Sequence, residues 1–576
     1  MRKLAFLFLS LFAFCTASAQ VTTSSMSGRV ADTDGQPIIG ATIVAVHTPT
    51  GTQYATASTR NGQFNLGGMR VGGPYDVEVS FIGCNTEKIE GIYLTIGEEA
   101  TLDFVLREDS QSIGEVVVVG KANPVFNANR TGAQEVVTLE MMEKLPTTSR
   151  SLDEFVKLTP MSSGKNFAGT SYRFNNVTVD GASFNNSFGL SSALGAQGTE
   201  PISLESIEQV QVMIAPYDVR NGGFTGGGIN SVTKSGTNEW HASAYMYTKS
   251  PELQGHRVRD YVGQVSEFSN RQYGVSLSGP IVKNKLFFFV NGELDRQDEP
   301  ISNRLADSRV SAADLDDLAK FLGDQFNYNP GGYDLSKTET RADRLTARID
   351  WNINDRNTFS LKYYYLKSYN TNAPSTSGAP ANGRGPNAYA MPFSSSYYRT
   401  NNDFNIVMAD WNSTINDHMS NTLKVGYSRL RDYRDMDGGF FPQVDILKDG
   451  SSYTVFGTEA NSYNNQLDTD IFQIQDNFTM NYGRHQITVG TQSDYRSFSN
   501  GFAQNYPGSW VFSSIDDFKF NVLAAKDYMA SHGNMTGFDI TKYDPSQFGL
   551  TGVVNGGLAN SAGTGQTHYL QKYSLM

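Results

Sequence analysis

The sequence predicts a mainly β protein in three parts: a small N-terminal β-sandwich, a mixed α/β domain, and the first part of a large antiparallel transmembrane β-barrel. Short strand-like runs separated by turn residues fill the first hundred positions, and long strands with one apolar and one polar face fill the second half. The composition agrees, because 29 Tyr, 35 Phe and 55 Gly are typical of aromatic-rich strands joined by polar turns.

The first 19 residues have the features of a secretory signal peptide. Arg2 and Lys3 precede the apolar run Leu4–Phe14, and small residues follow at Ala17–Ala19. Cleavage there starts the mature chain near Gln20. We therefore expect the protein to be exported, and no later apolar run is long enough to predict a membrane-spanning helix.

Charge and cysteine content exclude several classes of protein. The formal net charge of −12 and the absence of a Lys/Arg block argue against a nucleic-acid partner. Cys84 is the single cysteine after the signal peptide, so an intramolecular disulfide cannot form. The seven histidines are scattered without metal-ligand spacing, and we predict neither a metal nor another cofactor.

Residues 20–107 predict the sandwich. Seven short strands alternate with turns such as Asp34-Gly35 and Asn61-Gly62, where glycine permits a positive φ. The pattern from Gly28 to Ala41, continued by the strand around Phe64, resembles the carboxypeptidase regulatory-like domain. The resemblance implies an accessory module without peptidase activity.

Residues 108–131 predict a linker that contains one strand-forming segment, Glu115–Val119. An isolated valine run needs a partner strand, because its unpaired edge otherwise promotes aggregation. Two arrangements would give the valine run a partner strand. The segment can add to the exposed sheet edge of another protein, or it can form an extra edge strand of the preceding sandwich.

Residues 132–238 predict a mixed α/β domain. Apolar spacing indicates short helices at Leu139–Lys144 and Ser151–Leu158, and Asn176–Gly181 is typical of a strand that runs into a turn. Gly222–Gly228 lacks the phasing of a dinucleotide-binding loop, and no P-loop lysine follows it. We interpret these glycines as structural, allowing close backbone approach to a surrounding wall.

The segments Ser206–Val212 and Gly222–Asn238 resemble the closing signature of the plug domain in TonB-dependent outer-membrane receptors. Tyr172–Gly181 and Ala215–Val219 are similar to the Oar-like group, and the whole resembles receptors of Bacteroidetes type. The signature residues carried by this resemblance are Asp180, Gly181, Gly226, Gly227, Gly228, Asn230, Thr233 and Lys234. The same resemblance implies that Glu115, Val116, Val117, Val118 and Val119 form the TonB box.

Residues 239–576 predict nine to ten barrel strands of about ten residues. In Phe472–Tyr482 the apolar residues alternate with amides, and Arg344–Trp351 alternates apolar with charged residues. We expect the apolar faces to contact outer-membrane lipid, the short turns to face the periplasm and the long loops to face outward. Since plugged transporters have about 22 strands, we expect the chain to be C-terminally truncated.

The resemblance implies a receptor in the outer membrane, with its plug and N-terminal domain on the periplasmic side. It would bind an extracellular ligand and import it with energy from TonB and the TonB-ExbB-ExbD complex. Glycans, peptides and chelated metals are all compatible ligands. The alternative is a barrel-anchored adhesion or assembly protein, and neither function requires an enzyme.

Overall fold

The computed structural model describes residues 21–108, 116–119, 132–145, 147, 150–163, 166–185, 195, 199–216, 218–263, 266–301, 303–482, 485–563 and 569–575. The predicted signal peptide and most of the predicted linker lie outside these residues. Strands dominate, and the expected mainly β fold is confirmed. Among the described residues, no helix is both long enough and apolar enough to cross a bilayer.

The N-terminal part is a sandwich of two sheets. Its strands are β1 Ser24–Asp32, β2 Thr42–His47, β3 Thr52–Ala57, β4 Gln63–Met69, β5 Gly72–Ser80, β6 Glu87–Leu94, β7 Glu99–Thr101 and β8 Phe104–Leu106. One sheet has the order β4-β1-β7, with β8 also paired to β1, and the other contains β3-β2-β5-β6. The alternating residues that face inward form one core, which includes fully buried Tyr75 and Phe104.

The valine segment forms strand β9, Val116–Val119, which pairs in parallel with β6 of the sandwich. Glu87 to Glu90 on β6 lie opposite the four valines. Of the two arrangements that the sequence left open, the described backbone adopts the edge strand within the same chain. Glu115 and the side chains of the segment lie outside the described residues.

The mixed domain, called the plug below, follows the linker. Its elements are β10 Gly132–Thr138, α1 Leu139–Lys144, α2 Leu152–Val156, β11 Ser162–Ser163, β12 Asn166–Phe167, β13 Asn176–Val179, β14 Ala182–Ser183, β15 Ile207–Pro216 and β16 Gly228–Thr233. Five strands form one sheet in the order β10-β15-β16-β13-β14. Both predicted helices are present, and Thr138 caps α1 by accepting a hydrogen bond from the Met141 amide.

The remaining chain forms long antiparallel strands and the loops between them. These are β17 His241–Lys249, β18 Arg257–Val258, β19 Tyr261–Val262, β20 Ser269–Val282, β21 Leu286–Pro300, α3 Ala312–Phe326, β22 Lys337–Asn354, β23 Asn357–Asn372, β24 Tyr398–Asn416, β25 Met419–Asp435, β26 Gln443–Lys448, β27 Ser451–Phe456, β28 Gln466–Tyr482, β29 His485–Phe502, β30 Ser509–Phe512, α4 Ile515–His532, β31 Asn560–Gly563 and β32 Tyr569–Leu575.

Ten of these strands form one sheet, the barrel wall, in the order β17-β20-β21-β22-β23-β24-β25-β28-β29-β32. The predicted faces are confirmed: Phe472 and Ile474 are 46% and 38% exposed, whereas Gln473 and Gln475 are buried against the plug side. The predicted strand length was wrong, since β24 has 19 residues. Polar residues that the sequence pattern assigned to loops extend the strands beyond the apolar band.

The long loops pack against one another at one end of the strands. They assemble into a cap with a four-stranded sheet, β27-β26-β30-β31, covered by α3 and α4. Leu315 and Leu318 of α3 share an apolar core with Phe456 and Phe518. The cap lies at the end of the wall opposite the short turns.

Candidate functional site: the plug against the barrel wall

The two parts of the predicted plug signature meet on neighbouring parallel strands. β13 pairs with β16, so Thr178 lies opposite Asn230 and donates a hydrogen bond to its side chain over 3.1 Å. One step further along, the Thr233 hydroxyl donates to Asp180. The two motifs are distant in the sequence, but one sheet brings their polar residues together.

Asp180 is fully buried and is directed at the barrel wall. It stands in the turn after β13 with φ of 52°, followed by Gly181 with φ of 88°. Lys362 Nζ lies 3.4 Å from its carboxylate and Arg348 Nη1 lies 3.9 Å away. The Tyr364 hydroxyl also donates to it. Although burial alone raises the pKa of Asp180, Lys362 and Arg348 together hold it below its ordinary value.

The wall residues around Asp180 have their own partners. Arg348 contacts Asp350 with 2.9 Å between Nε and Oδ2, and Lys362 lies 2.5 Å from Asp410. Each buried cation is thus shared between the plug carboxylate and a wall carboxylate. Buried charges are tolerated only with such pairing, so this network fixes the plug in one position.

A second polar contact lies along the same wall. Ser203 donates to Glu293 over 2.7 Å, and Ser206 donates to Asn291 over 3.1 Å. Arg344 donates to the Glu200 carbonyl and pairs with Glu293, each over 2.6 Å. The plug is therefore held at two places by hydrogen bonds to buried wall residues.

An apolar contact completes the interface. The Phe184 ring, 1% exposed, meets Tyr364 and Phe404 edge to face, with ring centroids 5.6 and 5.5 Å apart. The plug core continues through these residues into the wall. The plug is thus packed against the wall by apolar as well as polar contacts.

Comparisons with known proteins agree with this arrangement. Residues 25–107 match the carboxypeptidase regulatory-like domain, and residues 232–313 and 300–531, together just over half of the chain, match the outer membrane beta barrel domain. The chain is 26% identical over 276 residues to the TonB-dependent transporter Oar of Myxococcus xanthus, and this match covers 44% of the chain and 25% of Oar. It belongs to the TonB-dependent outer-membrane receptors.

Two further comparisons identify proteins similar to this receptor. It is 25% identical over 249 residues to the probable TonB-dependent siderophore receptor PirA of Acinetobacter baumannii, covering 39% of the chain and 28% of PirA. The solved outer membrane transporter YddB from Escherichia coli has a TM-score of 0.46 at 14% identity, covering 66% of this chain and 50% of YddB. The matches to the two curated relatives span about a quarter of their length.

Three signature glycines, Gly226, Gly227 and Gly228, have a different role from the predicted one. A Cβ at Gly227 would lie 2.5 Å from the Phe167 ring, one at Gly226 would lie 2.3 Å from Asn175 Oδ1, and one at Gly228 would meet Phe224. The close approach of these three glycines is within the plug. Gly181 does approach the wall, because a Cβ there would lie 3.2 Å from Lys424 Nζ.

The other signature residues lie at the two ends of this region. The Asn230 side chain donates to the Val21 carbonyl at the start of the sandwich over 2.7 Å. Lys234 contributes its backbone amide, which donates to Ser206. Sequence reasoning placed Arg348 and Asp350 on the polar wall face but did not single out Lys362 or Tyr364. The available signal was the charge of Lys362 on the inward face of a strand, and Tyr364 had no comparable signal.

Proposed function

We propose that this receptor binds an extracellular ligand at its outer face and imports it when TonB draws on the plug. The observation that carries the proposal is a plug held on the wall by a buried charge network, with a strand-forming segment in the linker before it. Moving the plug breaks these buried charge pairs, which supports dependence on an external energy source. The proposed role is transport without covalent chemistry, so we propose no enzymatic activity.

The proposed organisation follows the sequence. It comprises a signal peptide at 1–19, the sandwich at 20–107, a linker at 108–131, the plug at 132–238 and the barrel region at 239–576. Within the linker, Glu115–Val119 is the proposed TonB box. The segment is paired with β6 in the structure, and the proposal requires this strand to exchange β6 for a sheet edge of TonB.

The proposed ligand surface is the cap together with the outward face of the plug. The cap has its own core and therefore presents a preformed surface. The same cap favours the second candidate function, a barrel-anchored adhesion or assembly protein, because a folded outer module can bind another surface without transport. Dependence on TonB separates the two candidates.

Calorimetry of a periplasmic TonB domain with a peptide spanning Ser110–Asn123 tests the proposal. We expect binding by the native peptide and its loss with Val117→Pro, which removes a ladder donor. Gln111→Pro is the matched control, outside the valine run, and should bind like the native peptide. Absence of binding by the native peptide would favour the adhesion function.

A further inference from the structure

The sandwich is docked across the short-turn end of the barrel, directly beneath the plug. Gln209 of the plug accepts a hydrogen bond from the Ile96 amide over 3.0 Å and donates to the Leu94 carbonyl over 3.1 Å. Ile96 is fully buried and packs with Val136 and Val232 of the plug. The side-chain amide of Gln209 thus joins the plug to the backbone of the sandwich through two hydrogen bonds.

The same domain also touches three short turns or strand ends of the wall. Asn352 donates to Thr52 over 2.8 Å, and Thr56 donates to the Asp417 carbonyl over 3.3 Å. A Cβ at Gly51 would lie 3.4 Å from the Asn284 Cβ. These contacts are distributed over neighbouring turns at this end of the wall, so the domain meets the wall at several places.

Arg70 connects all three parts of the receptor. Its guanidinium donates to Ser235 of the plug over 3.2 Å and lies 3.5 Å from Asp350 of the wall. The Arg70 side chain is 12% exposed, whereas Asp350 is fully buried. Through Asp350 and Arg348 the sandwich therefore reaches the network that holds Asp180.

The proposed TonB box is attached to this docked domain. β9 pairs with β6 residue by residue, whereas twelve residues separate Val119 from Gly132, where the plug begins. A pull on β9 consequently acts directly on the sheet of the sandwich, whereas it reaches the plug only through the residues that follow β9.

We propose that the carboxypeptidase regulatory-like domain is a periplasmic latch: it closes the barrel exit and must leave the mouth before the plug can move. This proposal rests on the proposed function only in taking Val116–Val119 as the point of pull. The latch is the docked sandwich of residues 21–106. Once the latch has left the barrel mouth, the pulling force acts on the plug.

The docked position is tested first by disulfide formation in the full receptor, in a Cys84→Ser background. A Cβ at Gly68 would lie 3.9 Å from the Asn412 Cβ, within the range of about 3.5 to 4.5 Å for disulfides. We expect Gly68→Cys with Asn412→Cys, and Gly51→Cys with Asn284→Cys, to form disulfides in outer membranes. The crossed pairs, Gly51→Cys with Asn412→Cys and Gly68→Cys with Asn284→Cys, are matched controls and should stay reduced.

Release order is tested by single-molecule pulling on an azide-bearing residue in place of Lys121, with the receptor in a nanodisc. The oxidised Gly68→Cys, Asn412→Cys receptor should lose the first low-force rupture, and reduction should restore it. The corresponding crossed pair should leave the rupture unchanged. Single-cysteine receptors show whether a cysteine at the positive φ of either glycine disturbs assembly.

Two results would overturn the proposal. Equal disulfide yields in matched and crossed pairs would mean that the domain is not docked at one position. A first rupture that is the same in oxidised and reduced receptor would mean that the plug yields first. TonB is absent from both measurements, so their failure is distinguishable from a failure of TonB to bind the peptide.

Discussion

The plug and the sandwich both pack against the barrel wall, but different interactions hold them. The plug buries a charge, Asp180, between Lys362 and Arg348, and inserts Phe184 into the wall. The sandwich meets the wall through the ion pair of Arg70 with Asp350, in which the Arg70 side chain is 12% exposed, and through hydrogen bonds at the short turns. Thr22 also accepts a hydrogen bond from Lys424. Removing one partner of a buried charge pair costs about 3 to 5 kcal/mol, whereas a typical hydrogen bond contributes about 1 kcal/mol. We therefore expect release to begin at the sandwich, which has the smaller number of buried charge pairs.

The largest expected effect comes from Asp180→Asn. The change leaves Lys362 and Arg348 with one fewer buried counter-charge, and we expect the plug to lose about 3 kcal/mol of stability. Urea-dependent hydrogen exchange of β13 and β16 in the full receptor measures this loss. Asp355→Asn, at an exposed turn, is the matched control and should change stability by less than about 0.5 kcal/mol. An equal response of the two variants would contradict the anchoring role of Asp180.

A smaller loss is expected from Gly227→Ala. The new Cβ would lie 2.5 Å from the Phe167 ring, so the plug must shift at a cost of about 2 kcal/mol. The hydrogen-exchange measurement on β13 and β16 reports this loss of stability. Gly292→Ala is the control, because its Cβ has no atom within 4 Å. Unchanged exchange in Gly227→Ala would mean that the plug is loosely packed there.

The sandwich should show a pH dependence that the plug does not share. Burial, with the nearby Arg70, lowers the pKa of His47 from 6.5 to about 3. Because the folded pKa lies below the unfolded one, the unfolded state takes up the proton first, and stability falls as pH drops below 6.5. We expect a loss of about 2 kcal/mol between pH 8 and pH 5.

Urea unfolding of the receptor at the two pH values, followed through sandwich amides, checks this expectation. His47→Gln removes the titrating group and should flatten the part of the slope that His47 contributes. His418→Gln is the matched control, at a short turn of the wall. A slope that persists unchanged in His47→Gln would assign the effect to other groups.

Arg70→Gln should have the smallest effect on stability and act on docking instead. It removes the contacts with Asp350 and Ser235 while Asp350 keeps Arg348, so docking weakens by about 1 kcal/mol. The disulfide yield of the Gly68→Cys, Asn412→Cys receptor should fall several-fold. Arg60→Gln, at an exposed turn, should leave the yield unchanged. Equal yields in both variants would remove Arg70 from the docking contact.

Much of this architecture could be predicted from local sequence patterns. Alternation assigned Gln473 and Phe472 to opposite faces, and apolar spacing located α1 at the residues that form it. Period and turn chemistry act over a few residues, so one segment is enough to reveal them. The signature residues Asp180 and Thr233 also proved to be partners.

Contacts between distant segments were not predictable in this way. The choice between the two possible partners of Val116–Val119, the contact of Gly227 with Phe167 and the ion pair of Arg70 with Asp350 each depend on how segments distant in sequence pack. The cap was missed for the same reason, since four loops share its core. In the sequence alone such residues stand out only by an unusual position, as Lys362 does on the inward face of β23.

Photocrosslinking at Val117 shows whether TonB engages the proposed box. A photoreactive residue replaces Val117 in the full receptor, and energised cells are irradiated with and without a functional TonB. We expect an adduct with TonB beside an internal adduct with the sandwich, and loss of the TonB adduct when the proton gradient is dissipated. An internal adduct alone, identical in both strains, would contradict transport driven through this segment.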